Sequence, residues 1–431
     1  MNVGSAVMRR ARLGLSAIMV LAGLCVALAG CEKKAERAAG AGKEAVIGFT
    51  ASQTGKLNVE SARQINGLNL WIEQVNAAGG VQLADGSRVR FAAKYYDDES
   101  NKERVQALYT KLVTEDQAAF LISPYSSGLT DAAAMIAEQY GKIIITAGAA
   151  SDSTHGKGYG SVYQIYTPAS RYLTGAFDLL ARLDPKARTA ALVCEKDKFA
   201  AEVCAAAEKY AKNTGLKIAF NEGYDSGAAD FAPFINKIPP GVAAVMGGGH
   251  FADGATFAKQ LFEKRVAAKF ISLLVAPPEP KFAELGDAAR GVVGPSQWEP
   301  LAKYSADLAR AAGIEWFGPS VAEFAAAYRT KFAEEPSYHA AGGYAAGLAL
   351  QQAIAAAGSL DSSKVKVALD ALNVMTFFGR LHFATGAAEH GLQTGHEMVY
   401  IQWQTDGQGQ LAKQVVWPEE VKSAPAMSLA R

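Results

Sequence analysis

The sequence predicts an α/β protein of two successive doubly wound units behind an export segment, and three observations predict it. Strand-type apolar runs alternate with helical periods along most of the 431 residues. That alternation restarts once, near residue 161. A basic and then strongly apolar N-terminus precedes both units. The length exceeds one ordinary domain, and 50% apolar with 20% charged residues suits a globular chain with a sizeable core. Net charge is +1 with both signs mixed along the chain, and no basic stripe marks a nucleic-acid partner.

Arg9, Arg10 and Arg12 precede an apolar run over 13–30, which ends in Leu28, Ala29, Gly30 and Cys31. A basic region, an apolar region and small residues before a cleavage point make a secretory signal over 1–30. A permanent membrane helix is the alternative, since the run approaches spanning length. The final four residues favour export, because they match the bacterial lipobox, in which the Cys is acylated and becomes the new N-terminus. Each buried CH₂ of the acyl chains on Cys31 would stabilise by about 0.8 kcal/mol. Glu32 stands where inner-membrane retention usually has Asp, so either membrane stays open. Residues 31–43, rich in Ala, Gly, Lys and Glu, read as a flexible tether.

The first unit opens with a strand over 45–50. A helix over 62–78 follows, with Ile65, Leu68, Ile72 and Val75 on one face, and Gly79 and Gly80 stop it. A strand over 89–96 runs into Asp97, Asp98 and Glu99. A second helix over 101–115 carries Val105, Leu108, Leu112 and Val113. Then come a strand over 118–123, a helix over 129–140 and a strand over 142–146. This order implies a parallel sheet covered on both faces. The restarted pattern has strands over 161–166, 189–193, 216–224, 243–246 and 270–275. Helices over 172–182, 200–214, 231–238 and 254–265 lie between them. Beyond Trp298 come helices over 321–332, 338–357 and 363–372, then an antiparallel-looking pair, 381–383 and 397–404. Cys194 ends a strand and Cys204 lies in the next helix, where a disulfide and two buried thiols are equally open.

These stretches carry a family likeness. Ile47 and Gly48, Thr54 and Gly55, Gly67, and the run from Asn76 to Val81 resemble the opening of the leucine/isoleucine/valine-type periplasmic binding proteins. So do Tyr96 with Asp97 and Asp98, the run from Pro124 to Thr130, and the run from Thr146 to Ser151. Gly247 to Gly249, Gly294 to Trp298, and Thr376 to Gly379 continue the match in order over nearly all the mature chain. The resemblance implies a type I periplasmic-binding fold whose lobes are joined by a three-strand hinge. Crossings are expected near Thr167, Gln297 and Thr376. Lobe 1 would be 44–167 with 298–375, lobe 2 would be 168–297 with 376–420, and 421–431 would be a tail. It further implies a monomeric, periplasmic protein that closes on a small ligand, such as an amino acid, and delivers it to an ABC permease.

Ligands of open α/β sheets sit beyond the carboxyl ends of parallel strands. Tyr125, Ser126, Ser127 and Gly128 follow one such strand and open a helix, where orphan N–H groups and hydroxyls suit a carboxylate. Ser127 could equally be an N-cap, but by resemblance it falls where the family holds the ligand carboxylate. Gly148 and Ala150 follow the next strand and would let a ligand approach the backbone, with Ser151 supplying a hydroxyl. By resemblance Phe199 is an aromatic wall, and Gly249 replaces a common Tyr so that His250 could project into the space. Trp298 is either apolar wall or core. Glu60 stands where the family often has Tyr, and is either a cation partner or solvated. The loop 273–278 lacks the Glu that commonly meets an ammonium. A ligand ammonium must then meet Glu60, Asp253 or Glu299, or the ligand has none.

No nucleophile elbow, P-loop, Cys-x-x-Cys or His-Glu-x-x-His motif occurs, and the six His show no metal-ligand spacing. Binding without catalysis, cofactor or metal is the expectation. The alternative is a lipoprotein of the same fold that reports ligand occupancy to a membrane receptor or kinase.

Overall fold

The computed structural model describes residues 42–301, 303–419 and 421–429. The signal, Cys31 and most of the tether lie outside them. Apolar alternation builds three sheets. The first uses β1 (Lys43–Ala51), β2 (Val81–Gln82), β3 (Arg88–Asp97), β4 (Phe120–Ile122), β5 (Ile144–Thr146) and β6 (Val162–Gln164), in the order β2-β3-β1-β4-β5-β6. β1, β4, β5 and β6 run parallel. Ile47, Phe49, Phe120, Ile122 and Ile145 are fully buried, as a sheet sandwiched between helices requires.

The second sheet uses β7 (Thr189–Glu195), β8 (Lys217–Tyr224), β9 (Ala244–Gly248), β10 (Phe270–Leu273) and β11 (Val293–Ser296). A third, small sheet holds β12 (Glu315–Trp316), β13 (Asn373–Thr376) and β14 (Gly379–His382). β15 (Val399–Thr405) and β16 (Leu411–Trp417) then return to the second sheet, giving the order β16-β15-β11-β10-β9-β7-β8. β15 pairs antiparallel with both β11 and β16.

Two departures from the sequence reading have simple causes. The strand at 161–166 does not begin the second unit but closes the edge of the first sheet beside β5. Residues 381–383 and 397–404 do not form one ladder. β14 turns straight back on β13, and β15 finds its partner in β16 across the Asp406–Gln410 turn. That hairpin is signalled by Asp406 and Gly407 between two apolar runs.

The chain passes between the sheets at neighbouring points. The Thr167 amide donates to Gln297 Oε1 at 2.8 Å, and Gln393 Nε2 donates to Thr167 Oγ1 at 3.2 Å. Residues after β14 stay beside the first sheet, where the Gln164 amide donates to the Gly391 carbonyl at 2.8 Å. Thr376 ends β13 inside the small sheet, and the strand that enters the second sheet begins at Val399. Cys194 on β7 and Cys204 on the Lys198–Thr214 helix form a disulfide with Cα atoms 6.6 Å apart.

Candidate functional site

The carboxyl ends of β4, β5 and β6 face those of β7, β9 and β10 across a narrow, nearly filled cavity of about 10 Å³. Tyr125, Ser126, Ser127, Gly148, Ala150 and Tyr166 line one side. Tyr172, Phe199, His250 and Val275 line the other, and Tyr338 closes it from the Tyr338–Ala357 helix. Aromatic rings make most of the wall. Phe199 meets Tyr172 edge-on with centroids 4.9 Å apart, and Tyr125 meets His250 edge-on at 5.4 Å.

Ser126, not Ser127, occupies the cap position of the Ser127–Gln139 helix. Ser127 is freed for another task. Its Oγ accepts from the amides of Ala150 and Ser151 at 3.1 and 3.2 Å, tying the loops after β4 and β5 together. Both lone pairs are then occupied, and the hydroxyl proton is free to donate. Gly148 lines the cavity and is also required by packing: a Cβ there would lie 2.1 Å from Gln64 Oε1 and 2.8 Å from Tyr125 Cδ2. The glycine lets the Tyr125 ring settle at the cavity.

Three residues picked from sequence do not line the cavity. Trp298 is fully buried against Phe324 and Phe377, and its Nε1 donates to the Phe377 carbonyl at 2.9 Å, so it is core. Ser151 Oγ donates to Glu202 Oε1 at 2.6 Å and points away. Glu60 is 1% exposed, and its Oε1 accepts from the Phe251 amide at 2.8 Å. It therefore caps the first turn of the Phe251–Glu263 helix, where the free N–H groups and the dipole both favour a carboxylate.

The opposing tips already touch. Tyr125 Oη and His250 Nδ1 are 2.8 Å apart, Lys56 reaches Glu195 at 3.2 Å, and Lys198 reaches Asp131 at 3.1 Å. Arg63 reaches Glu279 at 3.1 Å, and Glu279 Oε1 lies 2.5 Å from His339 Nδ1. This trio escaped the sequence reading because its members are far apart in the chain. Burial favours the neutral Glu279 acid, but His339 and Arg63 outweigh it and hold the carboxyl below its ordinary range. Tyr166, Tyr172 and Tyr338 were also missed. Only Tyr166, two positions past the end of β6, sits where a strand-end rule would have found it.

Behind His250, Asp197 Oδ2 lies 3.0 Å from its Nε2, and Glu195 Oε2 lies 3.9 Å away. Burial would lower the imidazolium, but the Asp197 hydrogen bond and charge, with Glu195 and Glu60, raise it to about 9. Burial and the Glu195 charge push Asp253 up to about 6, and Tyr224 donates to it. Ligand atoms of Glu195, Asp197 and His250 all fall within 4.8 Å of one another, a spacing that could hold a metal ion. Lys56 already neutralises one of these carboxylates. Among the described residues no helix is long and apolar enough to cross a membrane.

A leucine-, isoleucine-, valine-, threonine- and alanine-binding protein of Pseudomonas aeruginosa is 25% identical over 361 residues, covering 84% of this chain and 90% of its own. A branched-chain amino acid transporter substrate-binding protein from Streptococcus pneumoniae, solved with isoleucine, superposes with a TM-score of 0.71 at 21% identity. That match covers 87% of this chain and all of the other. A solute-binding protein of an ABC transporter from R. palustris, solved with benzoate, superposes with a TM-score of 0.66 at 18% identity, covering 90% and 97%. The family model described as periplasmic binding protein matches residues 44–408. Two sheets with facing tips, a cavity between them and a family match over nearly all the folded region lead to one statement: the chain belongs to the periplasmic binding protein family.

Proposed function

We propose that the protein is an exported, lipid-anchored solute-binding protein of the periplasm. It captures a small carboxylate-bearing molecule, an amino acid or a related acid or amide, between two hinged lobes and delivers it to an ABC permease. One observation carries this reading: a helix N-terminus and a Ser127 hydroxyl with a free proton border a cavity between opposing sheet tips. Such donors suit an anion. Isoleucine and benzoate, named for two solved relatives, both present a carboxylate. The lobes of this reading are built on the first and second sheets, and 383–396 travels with the first because Gly391 pairs with Gln164. The touching tips support a closed state that opens by hinge motion.

Ser127→Ala should weaken binding of carboxylate ligands by about 1–3 kcal/mol, the usual cost of a lost buried hydrogen bond to a charge. Calorimetry on ligands found by a thermal-shift screen measures it, and an unchanged dissociation constant removes Ser127 from the site. Cys31→Ala should move the exported protein out of the detergent phase of a two-phase extraction. Persistent partitioning would mean an uncleaved apolar helix instead.

A further inference from the structure

The carboxylates behind His250 do more than orient its ring. Glu195 is 2% exposed, and its two oxygens have different surroundings. Oε1 meets Lys56 at 3.2 Å and accepts from the Ser226 hydroxyl. Oε2 is buried with no hydrogen-bond partner and lies 3.9 Å from His250 Nε2. A buried carboxylate oxygen left bare is costly unless a cation meets it. Asp197 is divided in the same way. Its Oδ1 caps the Lys198–Thr214 helix by accepting from the Ala200 amide at 2.7 Å, and its Oδ2 turns to His250 Nε2 at 3.0 Å.

The surroundings suit a small cation. A Cβ on Gly249 would collide with Glu195 Oε2 and stand 2.7 Å from Asp253 Oδ2, so glycine is what lets the bare oxygen sit here. Glu60, which holds the amide next to His250, brings a second buried oxygen without a partner, Oε2. Lys56 opposes these acids through Glu195 Oε1, and Lys198 is engaged by Asp131 at 3.1 Å. A groove of about 230 Å³ between Lys56, Ser126, Gly128 and Lys198 reaches both Asp197 and His250. It offers a path for an ion and for the water that accompanies it.

We propose that Glu195, Asp197 and His250 bind one divalent transition-metal ion of the zinc class. One imidazole with two carboxylates suits such an ion, whereas calcium and magnesium prefer shells of oxygen alone. The ion meets Glu195 Oε2, Asp197 Oδ2 and His250 Nε2, and water from the groove completes its shell. Any proton on Nε2 leaves to solvent as the ion arrives. Nδ1 then carries the ring hydrogen and donates to Tyr125 Oη, 2.8 Å away. An outer partner of this kind orients a ligating imidazole. Tyr125 follows β4 while the three ligands come from the ends of β7 and β9, so the ion braces one set of sheet tips against the other.

Calorimetry with zinc chloride on the full chain, prepared without a polyhistidine tag and without a guest molecule, tests the site. One zinc ion should bind per chain. Tyr125→Phe should weaken that binding by about 10-fold, the usual cost of losing an outer partner, and leave the stoichiometry at one. Glu195→Gln, Asp197→Asn and His250→Gln should each weaken it by more. X-ray absorption on the zinc-loaded wild type should show one imidazole nitrogen among oxygens, a result that does not depend on any variant folding. Absence of binding up to millimolar zinc, an all-oxygen shell, or affinity unchanged in the three ligand variants overturns the site. Each of those results leaves carboxylate capture standing, because that reading rests on Ser127 and its helix.

Discussion

Arg63→Met should lower the unfolding free energy by about 3–5 kcal/mol, the range for breaking a buried ion pair from one side. Glu279 is fully buried, with Oε2 3.1 Å from Arg63 and Oε1 2.5 Å from His339. Methionine fills much of the volume of the arginine stem but leaves Glu279 a buried charge with one partner. Glu334, 3.1 Å from the same guanidinium, loses its contact too, though it is partly exposed and contributes little. Urea denaturation measures the effect, and a loss under about 1 kcal/mol would mean that water or a side-chain shift rescues Glu279. The sign of the pH dependence follows from the depressed Glu279 pKa. Stability from this carboxylate is present above its unfolded value of 4.5 and is lost as pH falls through the lower folded value. The gap between wild type and Arg63→Met should therefore narrow in strong acid.

Gly343→Val should be of similar size by an opposite mechanism. The Asn58–Ala77 and Tyr338–Ala357 helices come into backbone contact at Gly67 and Gly343. A Cβ at Gly343 would lie 2.0 Å from the Gln64 carbonyl oxygen, and one at Gly67 would lie 1.8 Å from that of Ala340. The obstruction is backbone on both sides, so no rotamer change can relieve it and the helices must part. Overpacking of this kind costs about 1–3 kcal/mol and more when backbone must move. The second helix also places Tyr338 at the cavity, so ligand affinity should fall along with stability. Unchanged denaturation would show that the two helices can separate freely.

The alternation of strand and helix was legible because each strand and each helix obeys a local period. Ile65, Leu68, Ile72 and Val75 lie buried along one helix, as their spacing requires. The loops beyond strand ends were legible too, since Tyr125, Ser127, Gly148, Ala150, Phe199 and His250 all line the cavity. Errors arose where one short segment fits two partners. β6 and β14 carry signals for strand but none for neighbour, and pairing depends on parts of the chain far away. Trp298 and Glu60 failed for a related reason: position after a strand does not fix the direction in which a side chain turns.

The sequence by itself determined the class of fold, the order of its elements and the loops that gather at the sheet tips, because hydrophobic periods and helix starts are local properties. Only the tertiary structure decided which groups meet. Arg63, Glu279 and His339 come from three distant stretches, as do Tyr125, Asp197 and His250. Whether a carboxylate faces a cavity or is consumed by a cation or a helix end depends on those meetings, and no local pattern of residues encodes them.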